Sequence, residues 1–446
     1  MIRHNITKQI SRIGESAKDF SLGLYEDHLF EISYYYNQRV IDMDDPYFTW
    51  LDLEHAETRI DTHMEALKTD EKPAMDYCRM KAEKVEPGIV YATVRLLCHH
   101  RWDKSLMEIL ESPNTDQPNY AKAVTDAFIS DLPEEWNSIL RRMIISENPA
   151  WKRIAADTLA VKLIPMEDEL MEALKSADPD VLPAIIRAVG RLRLEKARHI
   201  LTGLSMEKTC DETVYQTCLA LLRIHEKEAV RIVLERKTLG RERYLLMGLS
   251  GDDRYIPSLR KMARSEDVCD ESLFALFLLG DISSVDELID CLENGCHPKA
   301  AALSLYMLTG AALYETVFIS EPLDEDRLFK DEVEKLHNNT MDSPLNEAGE
   351  TITRLSQNPH IWRNWWYENK RSFVEDLRYR LGKPISKEGL LQILLSEELP
   401  SFLRDLVHEE LVIRYDTALA FDTSQHVKDQ RDILDVIKRK WVNHGQ

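Results

Sequence analysis

The chain has 446 residues, with 57 Lys and Arg against 78 Asp and Glu for a net charge of −21. At 44% hydrophobic and 30% charged residues it is too apolar for wholesale disorder and long enough to bury a large core without disulfides. The acidity argues against general nucleic-acid binding, which draws on a Lys/Arg surplus. No run nears the ~18 apolar residues that span a bilayer. Met1 to Lys8 is polar and lacks the apolar core of a signal peptide. Seven cysteines between Cys78 and Cys296 read as reduced thiols, so the expected compartment is the cytoplasm.

Apolar residues recur at helical spacing over most of the chain, and period-2 alternation is scarce, which predicts an all-α protein. Residues 1–75 read as an N-terminal helical cap. There Tyr34-Tyr35-Tyr36 and Tyr47-Phe48-Thr49-Trp50 flank an Asp42–Pro46 turn, and a helix is expected from Asp52 to Leu67. Residues 76–317 read as an α-solenoid of stacked helical hairpins. One unit opens with Leu170–Ser176, turns at Ala177-Asp178-Pro179-Asp180 and continues as Val181–Leu192, with Asp180 the expected N-cap. First helices anchored on Leu170, Ile200, Ile232, Leu259 and Leu288 give offsets of 30, 32, 27 and 29. Glycines recur near the ends of second helices at Gly190, Gly248, Gly280 and Gly310, where they permit close helix approach or a left-handed cap. Such a hairpin cannot bury its apolar face alone, so neighbours stack.

Residues 318–358 carry 10 acidic and 4 basic residues and several helix breakers. They read as an acidic loop or insertion with one short helix, Asp331–Leu336. Residues 359–446 are charge-balanced, with 14 of each sign, and read as a C-terminal helical block carrying a tryptophan cluster.

The repeats from Glu134 to Gly310, including Trp151–Ala160 after the Glu147-Asn148-Pro149 turn, resemble HEAT repeats in the short form of phycobilisome-lyase-like proteins. Glu57–Leu67, Tyr306-Met307-Leu308-Thr309-Gly310, Trp362-Arg363-Asn364-Trp365-Trp366 and Arg378–Pro384 together resemble motifs of an uncharacterised proteobacterial HEAT-repeat family. Genes of that family often lie near type VI secretion clusters. The resemblance implies an accessory, protein-binding role there, as an adaptor or chaperone for an effector or component. The chain departs from the family in a poorer Ala/Arg/Leu composition and less regular repeats.

No residues point to a catalytic centre, a cofactor or a metal. His-Glu occurs only at His225-Glu226 and His408-Glu409, too few for the di-iron site of HEAT-repeat hydroxylases, and both pairs read as exposed helix ends. Cys291, Cys296 and His297, or Cys98-His99-His100, lack a second pair at zinc spacing. Nucleophile-elbow, phosphate-loop and dinucleotide patterns do not occur. Glu57, Asp61 and Glu65 line one helix face, with His63 expected to meet an acid or a small polar network.

The candidate partner-binding residues are Trp362, Trp365 and Trp366, which share a helix face, and Arg187 and Arg191 on a repeat helix. The expected function is a non-enzymatic scaffold, adaptor or chaperone. It would bind another protein along its concave face, with the charge steering a basic segment and the 318–358 segment covering the face when empty. The alternatives are an immunity-type protein, or a lyase-like enzyme with an unrecognised site. Oligomeric state is open.

Overall fold

The computed structural model describes residues 2–320 and 349–444, apart from 46–47, 70, 83–85, 177, 208, 237–238, 398 and 418. Before Asp19 and after Arg439 it describes the backbone alone. The chain is an all-α, HEAT-like stack of helical hairpins, and it divides into two compact units, 1–250 with 386–446, and 251–385. This division differs from the four segments expected from composition. The C-terminal block is split at residue 386, and the repeats are split after Ser250.

The first unit opens with three helices, α1 (Ile2–Asp44), α2 (Trp50–Lys68) and α3 (Glu71–Ala82), followed by α4 (Pro87–His100). Five hairpins follow: α5 (Asp103–Leu110) with α6 (Pro118–Asp131), α7 (Asn137–Ile144) with α8 (Pro149–Lys162), α9 (Glu167–Ser176) with α10 (Leu182–Arg191), α11 (Arg198–Met206) with α12 (Asp211–Arg223), and α13 (Lys227–Arg236) with α14 (Glu242–Ser250). The second helices pack side by side, α4 on α6, α6 on α8, α8 on α10 and α10 on α12. The first helices are amphipathic: in α7, Ile139, Leu140, Met143 and Ile144 are buried while Arg141 and Arg142 face water.

Local signals account for the hairpins. Proline sits in the first turn of α4, α6, α8 and α10, where its missing N–H costs no hydrogen bond. The Asn148 side chain caps α8 by accepting from Trp151 N at 3.1 Å. The turn before α10 differs from expectation. Val181 is the N-cap residue, and Asp178 rather than Asp180 organises the turn, its carbonyl accepting from Val181 N and Leu182 N, both at 3.0 Å.

Left-handed residues close the second helices at Arg101, Leu163, Arg193 and His225, so most caps are not glycine. Gly190 instead lies inside α10, where a Cβ would stand 2.7 Å from Ala220 Cβ on α12, and Gly248 lies inside α14. The expected helix at 52–67 is α2, and α1, unmarked in the sequence reading, runs for 43 residues.

The second unit contains α15 (Ile256–Ala263) with α16 (Asp270–Leu279) and α17 (Val285–Glu293) with α18 (Pro298–Thr309). The start and end of the expected acidic loop form a two-stranded antiparallel ribbon, β1 (Tyr314–Ser320) paired with β2 (Gly349–Leu355). Residues between them, including the helix expected at 331–336, lie outside the described residues. Then come α19 (Pro359–Asn369) and a small hairpin, β3 (Tyr379–Arg380) with β4 (Lys383–Pro384). The chain returns to the first unit as α20 (Lys387–Leu394), α21 (Ser401–Tyr415) and α22 (Val427–His444). Among the described residues no helix is long and apolar enough to cross a membrane.

Two stretches singled out in the sequence clamp each other in the second unit. Gly280 and Gly310 end α16 and α18 in left-handed conformations, φ +74° and +69°. Tyr379 N donates to Gly280 O at 2.8 Å, Leu381 N to Met307 O at 2.6 Å and Gly382 N to Leu308 O at 3.0 Å. The Arg380 guanidinium donates to the α16 carbonyls of Phe277 and Leu278. These bonds satisfy carbonyls that helix ends leave open. A Cβ at Gly310 would lie 2.5 Å from Leu381 O, whereas one at Gly295, also at positive φ, meets nothing within 4 Å. Gly295→Ala is therefore expected to cost about 1 kcal/mol, and Gly310→Ala at least about 2 kcal/mol because the clamp must also open. Urea unfolding of the two variants measures the difference.

Candidate functional site

The second-helix face of the first unit carries a row of arginines, and the C-terminal block lies on it. Arg39 on α1 donates Nε to buried Glu57 at 2.7 Å and Nη2 to Ser424 O at 2.9 Å; Glu57 also accepts from Val427 N at 2.7 Å. Burial pushes the Glu57 carboxyl up despite its partner. On α10, Arg187 bridges Asp157 at 3.5 Å and Asp422 at 2.9 Å. Arg191 donates to Phe421 O at 2.6 Å and Ala160 O at 3.2 Å, and lies 3.3 Å from His408 Nδ1. On α12, Arg223 grips Glu409 with two bonds, 2.8 and 2.6 Å. Burial opposes the Glu409 charge, but Arg223 and His408 hold its carboxyl well below the usual range.

Two carboxylates of this seam titrate apart. Burial raises Asp422, yet Arg187, Arg191 and the Ser424 bonds prevail and bring it down to about 2. Half-buried Asp405 accepts from Thr423 Oγ1 at 2.7 Å, but burial and then the neighbouring Asp422 push it up to about 7. Nearer the N-terminus, Tyr91 meets His426 at 2.9 Å and stacks on Tyr36, which donates to Asp126 at 2.8 Å. Arg404 is fully buried, 3.4 Å above the Trp50 ring, donating to Leu394 O and Gln430. These contacts place the chain's own C-terminal block against the second-helix face.

Most residues singled out in the sequence turn inward. Arg187 is half-buried and Arg191 buried, both engaged as above. Trp362 is buried and donates Nε1 to Ser356 O at 2.6 Å; Trp366 is buried beside Phe373, and Trp365 is half-buried against the same ring. These rings form local packing in the second unit because burial removes indole surface from water. His408 and Glu409 are buried within α21 rather than exposed at a helix end, whereas His225 does end α12. His63 faces His28 instead of an acid, Nδ1 to Nδ1 at 2.9 Å, while Asp61 pairs with Arg95 and Glu65 with Lys68. Cys291 donates to Ala263 O, and His297 pairs with Asp270 at 2.6 Å. Among the described residues no three His, Cys, Asp or Glu are arranged to hold a metal.

The surface that stands out lies on α1. Phe20 (68% exposed), Phe30 (67%), Ile41 (64%), Tyr34 (56%) and Leu24 (40%) are all in water. At 100° per residue they fall within roughly 120° of arc, one continuous stripe. Beside it, α1, α3 and the start of α4 enclose a groove of about 430 Å³, lined by Leu29, Phe30, Tyr34, Tyr77 and Ile89. Its polar wall is ordered: Glu86 Oε1 accepts from Ser33 Oγ at 2.8 Å and Asn37 Nδ2 at 2.9 Å, and Lys81 pairs with Glu26 at 2.6 Å. At its wall α1 and α4 cross closely at Gly88, where a Cβ would lie 2.3 Å from Ser33 Cα. The Tyr34–Tyr36 run was the visible signal; the helical arc that exposes Tyr34 and buries Tyr36 was not read from it.

No protein-family profile and no curated protein matches the chain. Among solved structures it is similar to Kap121p, in crystal structures bound to Pho4p and bound to Nup53p, each at 12% identity and a TM-score of 0.38. The alignments cover 91% and 94% of this chain and 49% of Kap121p, so the chain spans about half the length of that protein. The hairpin stacking described above rests on this chain's own geometry.

Glu409→Ala strands Arg223 without its counter-charge and is expected to cost about 3–5 kcal/mol, whereas the double change R223M/E409L costs far less. Urea unfolding of the single and double variants distinguishes these costs. Asp405 supplies a pH signature. Its folded-state value of about 7 lies above the ordinary ~3.9, so the folded state keeps a proton that the unfolded chain releases. Stability from this group therefore falls as pH rises from about 4 to about 7, and the loss is complete above that window. Asp405→Asn is expected to melt above the unsubstituted protein at pH 8 and with it at pH 4, as followed by circular dichroism.

Proposed function

We propose that the protein is a non-enzymatic, protein-binding scaffold that receives its partner on the exposed face of α1. The carrying observation is the stripe of Phe20, Leu24, Phe30, Tyr34 and Ile41 running beside a preformed groove. Large apolar side chains collected on one surface and rimmed by polar groups are the mark of an interaction site, and aromatic residues dominate interface energetics. The charged side chains gathered inside the first unit support the scaffold reading. Arg39, Arg187, Arg191 and Arg223 are engaged with Glu57, Asp422, Phe421 O and Glu409, so their charges serve closure of the fold. The resemblance to HEAT-repeat proteins encoded near type VI secretion genes directs the search for a partner to effectors and components of that system, with this chain as adaptor or chaperone.

A photocrosslinking phenylalanine at position 34, compared with one at exposed Met206 on α11, tests the reading in the native host. A defined protein adduct is expected at position 34 and not at 206, with the yield reduced at least tenfold by Phe20→Ala plus Phe30→Ala. Equal adducts at both positions, or none at 34, would sink it.

A further inference from the structure

We infer that the segment received by the α1 face is an amphipathic helix of about six turns with Lys or Arg beside its apolar stripe. This deepens the docking reading above and rests on it. The length follows from the stripe. Phe20 to Ile41 spans 22 residues of α1, or roughly 30 Å at ~1.5 Å per residue.

The helical form follows from backbone chemistry. The surface is built from α1, α3 and the start of α4, and it offers no sheet edge. An extended segment lying here would bury its own N–H and C=O groups without partners. A helix satisfies them internally and presents side chains at i, i+3, i+4 and i+7. The groove of about 430 Å³ can take large side chains from such a row against Leu29, Tyr77 and Ile89.

The charge follows from what lies in and beside the arc. Asp27 and Glu31 fall inside it at 100° per residue, Asp19 at its margin, and Glu86 at the groove wall. Between Asp19 and Met43 the arc contains no Lys or Arg. The cations nearby are already engaged, Arg39 with Glu57 and Lys81 with Glu26. A basic segment answers these carboxylates and gains in encounter rate from them. A second copy of this chain would bring another acidic face, and an anionic lipid surface meets the same repulsion.

The test uses the full chain and two fluorescein-labelled peptides of about 20 residues. Both carry Leu at i, i+3, i+4 and i+7, with Lys at the remaining positions of one and Glu in the other. Fluorescence anisotropy is read at physiological and at high salt. The Leu/Lys peptide is expected to bind at least tenfold more tightly than the Leu/Glu peptide, with the difference shrinking at high salt. F30A/Y34A should weaken Leu/Lys binding at least tenfold. D27K/E31K should do the same and raise Leu/Glu binding, while E134K/E172K, an equal charge change at exposed sites elsewhere, should leave both nearly unaltered.

Equal binding of the two peptides, both weakened by F30A/Y34A, would overturn the charge assignment and leave the docking face standing. Binding indifferent to F30A/Y34A would overturn both readings. Equal effects of D27K/E31K and E134K/E172K would reduce the preference to net charge and overturn the inference. So would a dimer in sedimentation that F30A/Y34A dissolves, which would assign the face to a second copy. All substituted side chains are exposed or half-exposed, and superimposable melting curves confirm that the variants fold.

Discussion

A guanidinium withdrawn from water must find acceptors within the fold, and this requirement organises the first unit. Arg191, Arg223, Arg39 and Arg404 are buried or nearly so, and the acceptors come chiefly from the last sixty residues of the chain. Glu409 answers Arg223, Asp422 answers Arg187, and the carbonyls of Phe421, Ser424 and Gln425 answer Arg191 and Arg39. Removing either partner would leave a buried charge alone, a larger penalty than the pair's own net contribution. Residues 386–446 are accordingly part of the same compact unit as residues 1–250.

This closure redirects the functional question. A stack of helical hairpins ordinarily offers the face of its second helices to a partner. Here that face is lined with tyrosine, histidine and ion-pair contacts to the chain's own C-terminal block. An apolar surface left in water lies on α1, where the aromatic stripe and groove adjoin carboxylates rather than arginines. Buried arginines and their buried acid partners hold the first unit together.

The motif stretches singled out in the sequence have physical roles in closure. Glu57 is the buried partner of Arg39 and accepts the first N–H of α22. The Tyr306–Gly310 and Arg378–Pro384 stretches join through backbone bonds that only residues tolerant of positive φ allow at Gly310 and Gly382. Trp362 seals its own helix start by donating to Ser356 O. These residues explain how each unit is held together internally.

The amino-acid sequence by itself determined the helical hairpins, their ~30-residue recurrence and their proline-marked second helices. Periodicity and capping act within a few residues, and Asn148, Pro149 and Gly310 express them directly. The β1–β2 ribbon escaped because its strands are separated by 28 residues, and pairing across such a gap leaves no local pattern. Only the tertiary structure decided which polar and aromatic residues face inward. Arg191 meets Phe421 across 230 residues and Arg223 meets Glu409 across 186, distances at which spacing along the chain carries no information. The same holds for Trp362 and Tyr34. An indole and a phenol have much the same apolar character in a sequence, and what separates them here is that a neighbouring element covers one and leaves the other in water.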